Sequence, residues 1–581
     1  MASHPDAIFA NLISQIHTMK KVIIFLATII AITLGDTACA QKSSTPTDYN
    51  LQKAYEVLDE DQDEVQALDL VNKQLQLTPD HVDALLLRAR LLRRKGEYGR
   101  AMQDLNHALK VNKPKKSEIP NSTLHWWKAT IYEDMDDMAN CAASLKTAYQ
   151  LARKDDKDNL QNISFDYAQA LYDLDDIAGA DAVYKAMLRQ DEMDQAAMVG
   201  LARNMMKREQ YGDAAEMLEI CQAYGSDYSE VYRFKMHAYD KLGETSKAIE
   251  AGLNWFERDD DVSINAILEV FVKRQNYAEA GIKARAKASD DPFEWDALLC
   301  NFYQECGRYE QAISAYDALE DKYGSFHGIN ELRSRCYKEL GLYKLAITDI
   351  SLALDWADDW ESYCYRGDYY RLSGDLDSAI ADFTAAIEEA PDEAFAYYRR
   401  GWCYELKGDN KRAMEDYNTG LDLDDDYSYL YLMRGELLYK GGDKTASAAD
   451  FEKVLELDTD ADDGSCRMYA LHYLGRDAEA DEWMDLIIAA EPDDSGNYYD
   501  LACLRSLQGR PQESIAALRT AFEKGYRSFA HIRMDDDLDA VRDLPEFKAL
   551  IKEYETRHAA YLQELDFRVP KAPSPINTRT I

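Results

Sequence analysis

A repeat of 34 residues governs the middle of this 581-residue chain. Three stretches align without gaps: YCYRGDYYRLSGDLDSAIADFTAAI from Tyr363, YYRRGWCYELKGDNKRAMEDYNTGL from Tyr397 and YLMRGELLYKGGDKTASAADFEKVL from Tyr431. Tyr363, Tyr397 and Tyr431 are 34 apart, as are Arg366, Arg400 and Arg434, and Gly367, Gly401 and Gly435. Each stretch continues with a glycine (Gly374, Gly408, Gly442), a small residue (Ala379, Ala413, Ser447) and an aromatic (Phe383, Tyr417, Phe451). Apolar and small residues recur at steps of three and four, the period of a helix face. The unit is therefore a helix hairpin. Its second glycine ends the first helix, small residues let the two backbones approach, and the aromatics fill the space between adjacent hairpins. One hairpin cannot bury its own apolar face, so neighbours must stack.

The pattern resembles the tetratricopeptide repeat, a helix-turn-helix unit. The resemblance covers nearly all of residues 48–525, with about fourteen copies starting near Asp48, Val82, Ser122, Gln161, Gln195, Ser229, Asp261, Phe293, His327, Trp360, Ala394, Ser428, Ala461 and Ser495. Residues 261–292 match less well, because Gln275 replaces the turn glycine. The fold class expected is all-α, and the resemblance implies a right-handed solenoid whose first helices line a concave groove. Residues 501–547 resemble a terminal segment of bacterial proteins of this family, and residues 526–566 are expected to cap the array, with a last helix over 545–565. A cap is needed because a bare last repeat would expose its apolar face.

Two candidate surfaces follow. In the repeat from Ala394, Tyr397, Gly401 and Tyr404 form one stripe, and Phe395, Tyr398 and Trp402 share another face at steps of three and four. The corresponding slots further on hold Tyr429, Tyr439, Tyr469, Tyr473 and Tyr499. These rings read as an aromatic floor that anchors a peptide, since Tyr and Trp carry much of the energy at such surfaces. On that reading Trp402→Ala weakens capture and leaves thermal stability nearly intact. The alternative is that the rings pack against neighbouring helices. The second candidate is basic: Arg88, Arg90, Arg93 and Arg94 crowd one early helix, whereas residues 355–463 are heavily acidic. A solvated face is the plain reading; an anionic partner, or self-association between the two ends, is the sharper one. The Lys and Asn four apart that grip a carboxyl terminus in chaperone-binding members are not in register in any repeat.

The stretch MKKVIIFLATIIAITLGDTACAQ, residues 19–41, concerns compartment. Two lysines precede a largely apolar run of thirteen residues, Val22–Leu34, too few for a bilayer span of roughly 20. Ala38 and Ala40 then suit a signal-peptidase site with cleavage before Gln41. The expected organisation is 1–18 a misassigned start, 19–40 a signal peptide, 41–47 a linker, 48–525 the array, 526–566 the cap and 567–581 a disordered tail. The location expected is periplasmic or secreted. The rival is a lipoprotein acylated at Cys39, against which Asp36 stands in a position that is normally apolar.

Chemistry is sparse. The net charge of −40 argues against nucleic acid, which calls for a basic footprint. Hydrolase, metalloprotease, Walker and dinucleotide signatures are absent from the sequence. DTDADDGS (458–465) fails as a calcium loop, because Asp463 takes the place of the sharp-turn glycine. Nine cysteines follow Cys39, and they read as small apolar fillers. Catalytic residues, metals and cofactors are expected to be none. The expectation is a non-catalytic scaffold for proteins or peptides, exported and serving envelope complexes. A cytosolic adaptor is the alternative if the signal is unused, and an enzyme would need a site these motifs do not display.

Overall fold

A computed structural model describes residues 48–60, 62–113, 119–259, 262–324, 328–357, 359–459, 464–565 and 567. The expectations for residues 1–47 and 568–581 lie outside these, as do residues 460–463 of the 458–465 loop. The regular structure of the described residues is helical, with no strand. They fall into two compact units, 48–277 and 278–567. The division falls where the repeat is weakest: the short helix Ile264–Val272 is followed after two residues by Gln275–Ala288, and Gln275 begins that helix instead of making a left-handed turn.

In each unit, helix hairpins stack in chain order, most second helices packing on the next first helix. Three hairpins carry the clearest repeats: Trp360–Ser373 with Leu376–Glu389, Ala394–Leu406 with Asn410–Leu423, and Ser428–Lys440 with Lys444–Leu457. Their turns share one device. Gly374, Gly408 and Gly442 have φ of 90°, 77° and 90°, a region glycine enters freely. The next residue is an aspartate (Asp375, Asp409, Asp443) whose carboxylate accepts from the backbone N–H three residues on and caps the second helix. In the first unit Asp136 and Asp175 take the glycine's place at φ 57° and 62°, which aspartate tolerates better than most residues.

The inner contact of each hairpin is a ring on a glycine. A Cβ at Gly367, Gly401 or Gly435 would lie 2.9, 2.6 or 2.7 Å from Phe383, Tyr417 or Phe451. The repeat aromatics thus sit on the glycine of their own hairpin, a correction to the expectation that they fill the space between hairpins. Phe451 also stacks on Tyr473 of the next one, with centroids 5.0 Å apart.

A second contact ties hairpins together. Arg400 donates through Nε and Nη2 to both carboxylate oxygens of Asp416, 2.9 and 2.8 Å away, and through Nη1 to Thr384 Oγ1 at 3.2 Å. One side chain therefore joins its own first helix, its own second helix and the second helix before it. Arg88, Arg366 and Arg434 repeat this with Asp104, Asp382 and Asp450, and reach back to Asn72, Ser351 and Asn418. Arg333 is fully buried and does the same with Asp349, Asp317 and Glu320. Removing one partner of such a pair strands the other charge. Asp416→Ala is expected to destabilise the second unit by about 2–4 kcal/mol, measured by urea denaturation. The double variant Arg400→Met/Asp416→Leu should recover most of that loss.

Candidate functional site

The aromatic stripe lies in the second unit, and the structure brings its rings together. Phe395 meets Tyr398 at 6.3 Å, Tyr398 stacks on Trp402 at 6.1 Å and meets Tyr429 at 5.6 Å, and Tyr439 meets Tyr473 at 5.2 Å. The rings do not form an open floor. Tyr398, Trp402, Tyr469 and Tyr499 are 2, 9, 8 and 5% exposed, Phe395, Tyr429 and Tyr473 are half-buried, and Tyr439 alone of the eight is exposed.

Neighbouring rings cover Tyr398, Tyr427 meeting it edge-on at 5.7 Å, and the chain's own C-terminal segment covers Trp402 and Tyr499. Residues 526–537 lie against the first helices. Tyr526 stacks on Tyr499 at 4.4 Å, and His531 sits edge-on to Trp402 at 5.5 Å and lies 5.7 Å from Tyr499. Ser528 Oγ donates to the Leu372 carbonyl at 3.3 Å, and Asp535 accepts from the Tyr499 hydroxyl at 2.5 Å. The last helix, Pro545–Glu564, packs Tyr554 on Phe522 at 4.8 Å, as a cap should. It also reaches further back: Tyr561 donates to Glu310, and a Cβ at Gly341 would lie 3.0 Å from both Arg527 and His558. The segment is thus a cap and an occupant of the groove at once.

Charges gather beneath it. Lys440 Nζ donates to Glu405 at 3.0 Å and lies 3.8 Å from Asp536. Glu436, 8% exposed, shares this region. Burial pushes its carboxyl up to about 8, Lys440 opposing and neighbouring acids reinforcing the shift. Asp535 and Asp537 bring carboxylate oxygens within 4.8 Å of Cys503 Sγ. Asp535 is already engaged there by Tyr499 and the Asp537 backbone N–H, so hydrogen bonds account for the arrangement. The nine cysteines beyond Cys39 are free thiols, eight of them buried. Burial pushes Cys141 and Cys403 up to about 12 and Cys306 to about 11, far from reactive thiolates.

The basic candidates belong to the first unit, and the structure corrects their reading as a patch open to an anionic partner. Arg88 is forked onto Asp104 at 2.7 Å, Arg93 donates to Asp134 at 2.5 Å, Arg94 to Glu64 at 2.8 Å, and Arg90 lies over Trp127 at 4.8 Å. Four helical neighbours in sequence are spent on partners supplied by other helices.

The same unit carries a feature the sequence reading missed. An open pocket of about 390 Å³ is lined by Ser229, Glu230, Arg233 and His237 of the first helix Ser229–Leu242, by Trp255 and Asp259, and by Ser263 and Ala266, with Arg233 Nη2 donating to Glu230 at 2.9 Å. Arg233 Nε is buried there with no hydrogen-bond partner among the described residues. The four-residue spacing of Ser229, Arg233 and His237 was the available signal; a polar stripe on one helix looks like any solvated face. Exposed large apolar residues also concentrate in this unit, among them Met135, Leu174, Met193, Ile220, Tyr224 and Tyr228.

Models of the family described as tetratricopeptide repeat match residues 366–428 and, separately, 82–114 and 428–460. Residues 82–114 and 366–460 carry tetratricopeptide repeats. A chloroplastic protein of Arabidopsis thaliana is 31% identical over 84 residues, 14% of this chain and 25% of that protein; the chain spans about a quarter of the length of this curated relative. Among solved structures, PilW, described as a widely conserved type IV pilus biogenesis factor, is 20% identical, covering 38% of this chain and 97% of its own at a TM-score of 0.31. Pseudomonas aeruginosa pilF is 15% identical over 36% of this chain and 90% of its own, TM-score 0.31. The Cut9–Hcn1 assembly is 15% identical over 88% and 96%, TM-score 0.31. Superpositions this loose carry nothing about function. No helix among the described residues is long and apolar enough to cross a membrane.

Two outcomes follow from the geometry. Trp402→Ala should lower stability by about 3–5 kcal/mol, seen as a fall in melting temperature, in place of the nearly unchanged stability expected of an open floor. For Glu436, the folded-state pKa lies above the unfolded value of roughly 4.3. Its ionised form is disfavoured in the fold, so its contribution to stability declines as pH rises from about 4.3 to about 8. Melting curves at pH 6 and pH 9 should show Glu436→Gln gaining on the parent protein, with the larger gain at pH 9.

Proposed function

We propose that the protein is a non-catalytic scaffold that binds other proteins or peptides, exported from the cytoplasm and serving to assemble or maintain envelope complexes. The observation that carries the binding role is the contrast between the units. The groove of residues 278–567 holds the chain's own C-terminal segment. The unit of residues 48–277 carries an open pocket and a concentration of exposed apolar side chains. Tetratricopeptide repeats supply stacked helix faces for docking. The compartment rests on residues 19–41: two lysines, a short apolar run and the Ala38–Cys39–Ala40 exit.

The partner surface is assigned to Arg233, His237 and the surrounding rim of the first unit. Crosslinked capture from intact cells with the full chain tests this. Arg233→Ala/His237→Ala should lose captured partner at an unchanged melting temperature, and amino-terminal sequencing of the native protein should begin at Gln41. Capture indifferent to that variant would move the partner surface elsewhere, and an uncleaved protein in the cytosolic fraction would favour an internal adaptor.

A further inference from the structure

Buried donors without acceptors collect at one place in the second unit. Arg371 of helix Trp360–Ser373 and Arg399 of helix Ala394–Leu406 are 3 and 6% exposed. A single carboxylate stands between them. Arg371 Nε donates to Asp368 Oδ1 at 3.0 Å, and Arg399 Nη1 approaches the same oxygen at 3.6 Å. Two guanidinium charges therefore face one carboxylate charge. Lys338 nearby is paired with Glu339, and the Asp535 carboxylate faces His531 at 3.6 Å.

The unused hydrogen-bonding capacity is specific. Arg371 Nη1, Arg399 Nε, Arg399 Nη1 and the Tyr398 hydroxyl are enclosed and have no hydrogen-bond partner among the described residues. All four belong to one cluster around Trp402. Arg371 lies over its ring at 4.1 Å and Arg399 at 5.7 Å, Tyr398 stacks on it at 6.1 Å, and His531 covers another side at 5.5 Å. Stacking occupies the flat face of a guanidinium and leaves its edge N–H groups free. Buried donors are almost always satisfied in native proteins, and charged ones are the costliest to leave bare. Water could accept these hydrogen bonds but would leave the second positive charge uncompensated. A planar or tetrahedral oxyanion answers both needs, because its oxygens match the guanidinium fork.

We propose that Arg371, Arg399 and Tyr398 form a buried site for one small oxyanion, a carboxylate or a phosphate-type group, beneath His531. Asp368, with its side chain 19% exposed, marks the solvent side and competes with the anion for both arginines. The site is distinct from the partner pocket of the first unit and does not depend on it.

Calorimetric titration of the full chain with sodium phosphate, sodium sulfate and sodium acetate, at matched ionic strength, tests this. A saturable response to at least one of them is expected, accompanied by a rise in melting temperature. Arg399→Gln should weaken it tenfold or more, Arg399→Lys should also weaken it by keeping the charge and losing the fork, and Asp368→Asn should tighten it several-fold. The last change has the opposite sign from damage to the fold, so it decides the matter even if Arg399→Gln does not fold. A response to acetate alone would identify a carboxylate, as a partner chain would supply; a response to phosphate or sulfate would identify a free anion. No saturable response to any of the three, or one that Asp368→Asn and Arg399→Lys leave unchanged, overturns the proposal.

Discussion

The forked pairing of an arginine with an aspartate sixteen residues on is the contact that the stacking leans on most. A repeat array has no single core; each hairpin touches only its neighbours, so each interface must hold by itself. Arg400 meets this need with one side chain, fixing the angle within its hairpin through Asp416 and the seat on the previous hairpin through Thr384. Glycine and ring complete the fit: Gly401 lets Tyr417 lie against the first helix where any side chain would collide. The chain's strong acidity is thus not only a surface property, since Asp349, Asp382, Asp416 and Asp450 are buried partners of the array.

The C-terminal segment turns the second unit into something other than an empty cradle. Terminal repeats need a polar cover, and the helix Pro545–Glu564 supplies one over Pro511–Glu523. Before it does so, residues 526–537 cross the aromatic stripe and cover Trp402 and Tyr499. Rings that would be sticky if exposed are satisfied within the chain, and Arg371, Arg399 and Glu436 are drawn from water among them. These three side chains lie in the interior of this unit, while the exposed apolar residues concentrate in the other.

The period of 34 made the hairpins legible: helices begin at Val82, Gln195, Ser229, Phe293, Trp360, Ala394, Ser428 and Ser495, where the repeat predicts them. The turn glycines were legible for the same reason, because local backbone conformation leaves local marks. Gln275 marked the place where the two units part. The candidate site was legible only as a set of rings. Phe395, Tyr398 and Trp402 do share a face, but whether that face is open depends on residues more than a hundred positions away, and periodicity carries no such information. The arginines misled in the same way. Arg366, Arg400 and Arg434 kept the repeat, yet their aspartates sixteen residues on were not read as partners. Arg88, Arg93 and Arg94 looked like a patch because their carboxylates come from other helices.

The central claim is that residues 526–537 occupy the groove of the second unit. Hydrogen-exchange mass spectrometry on the intact chain tests it most directly. The amides of residues 528–535 should exchange on the slow timescale of the helices Trp360–Ser373 and Ala394–Leu406 that they cover. Exchange of that segment as fast as an unstructured peptide, with those two helices still protected, would contradict the account.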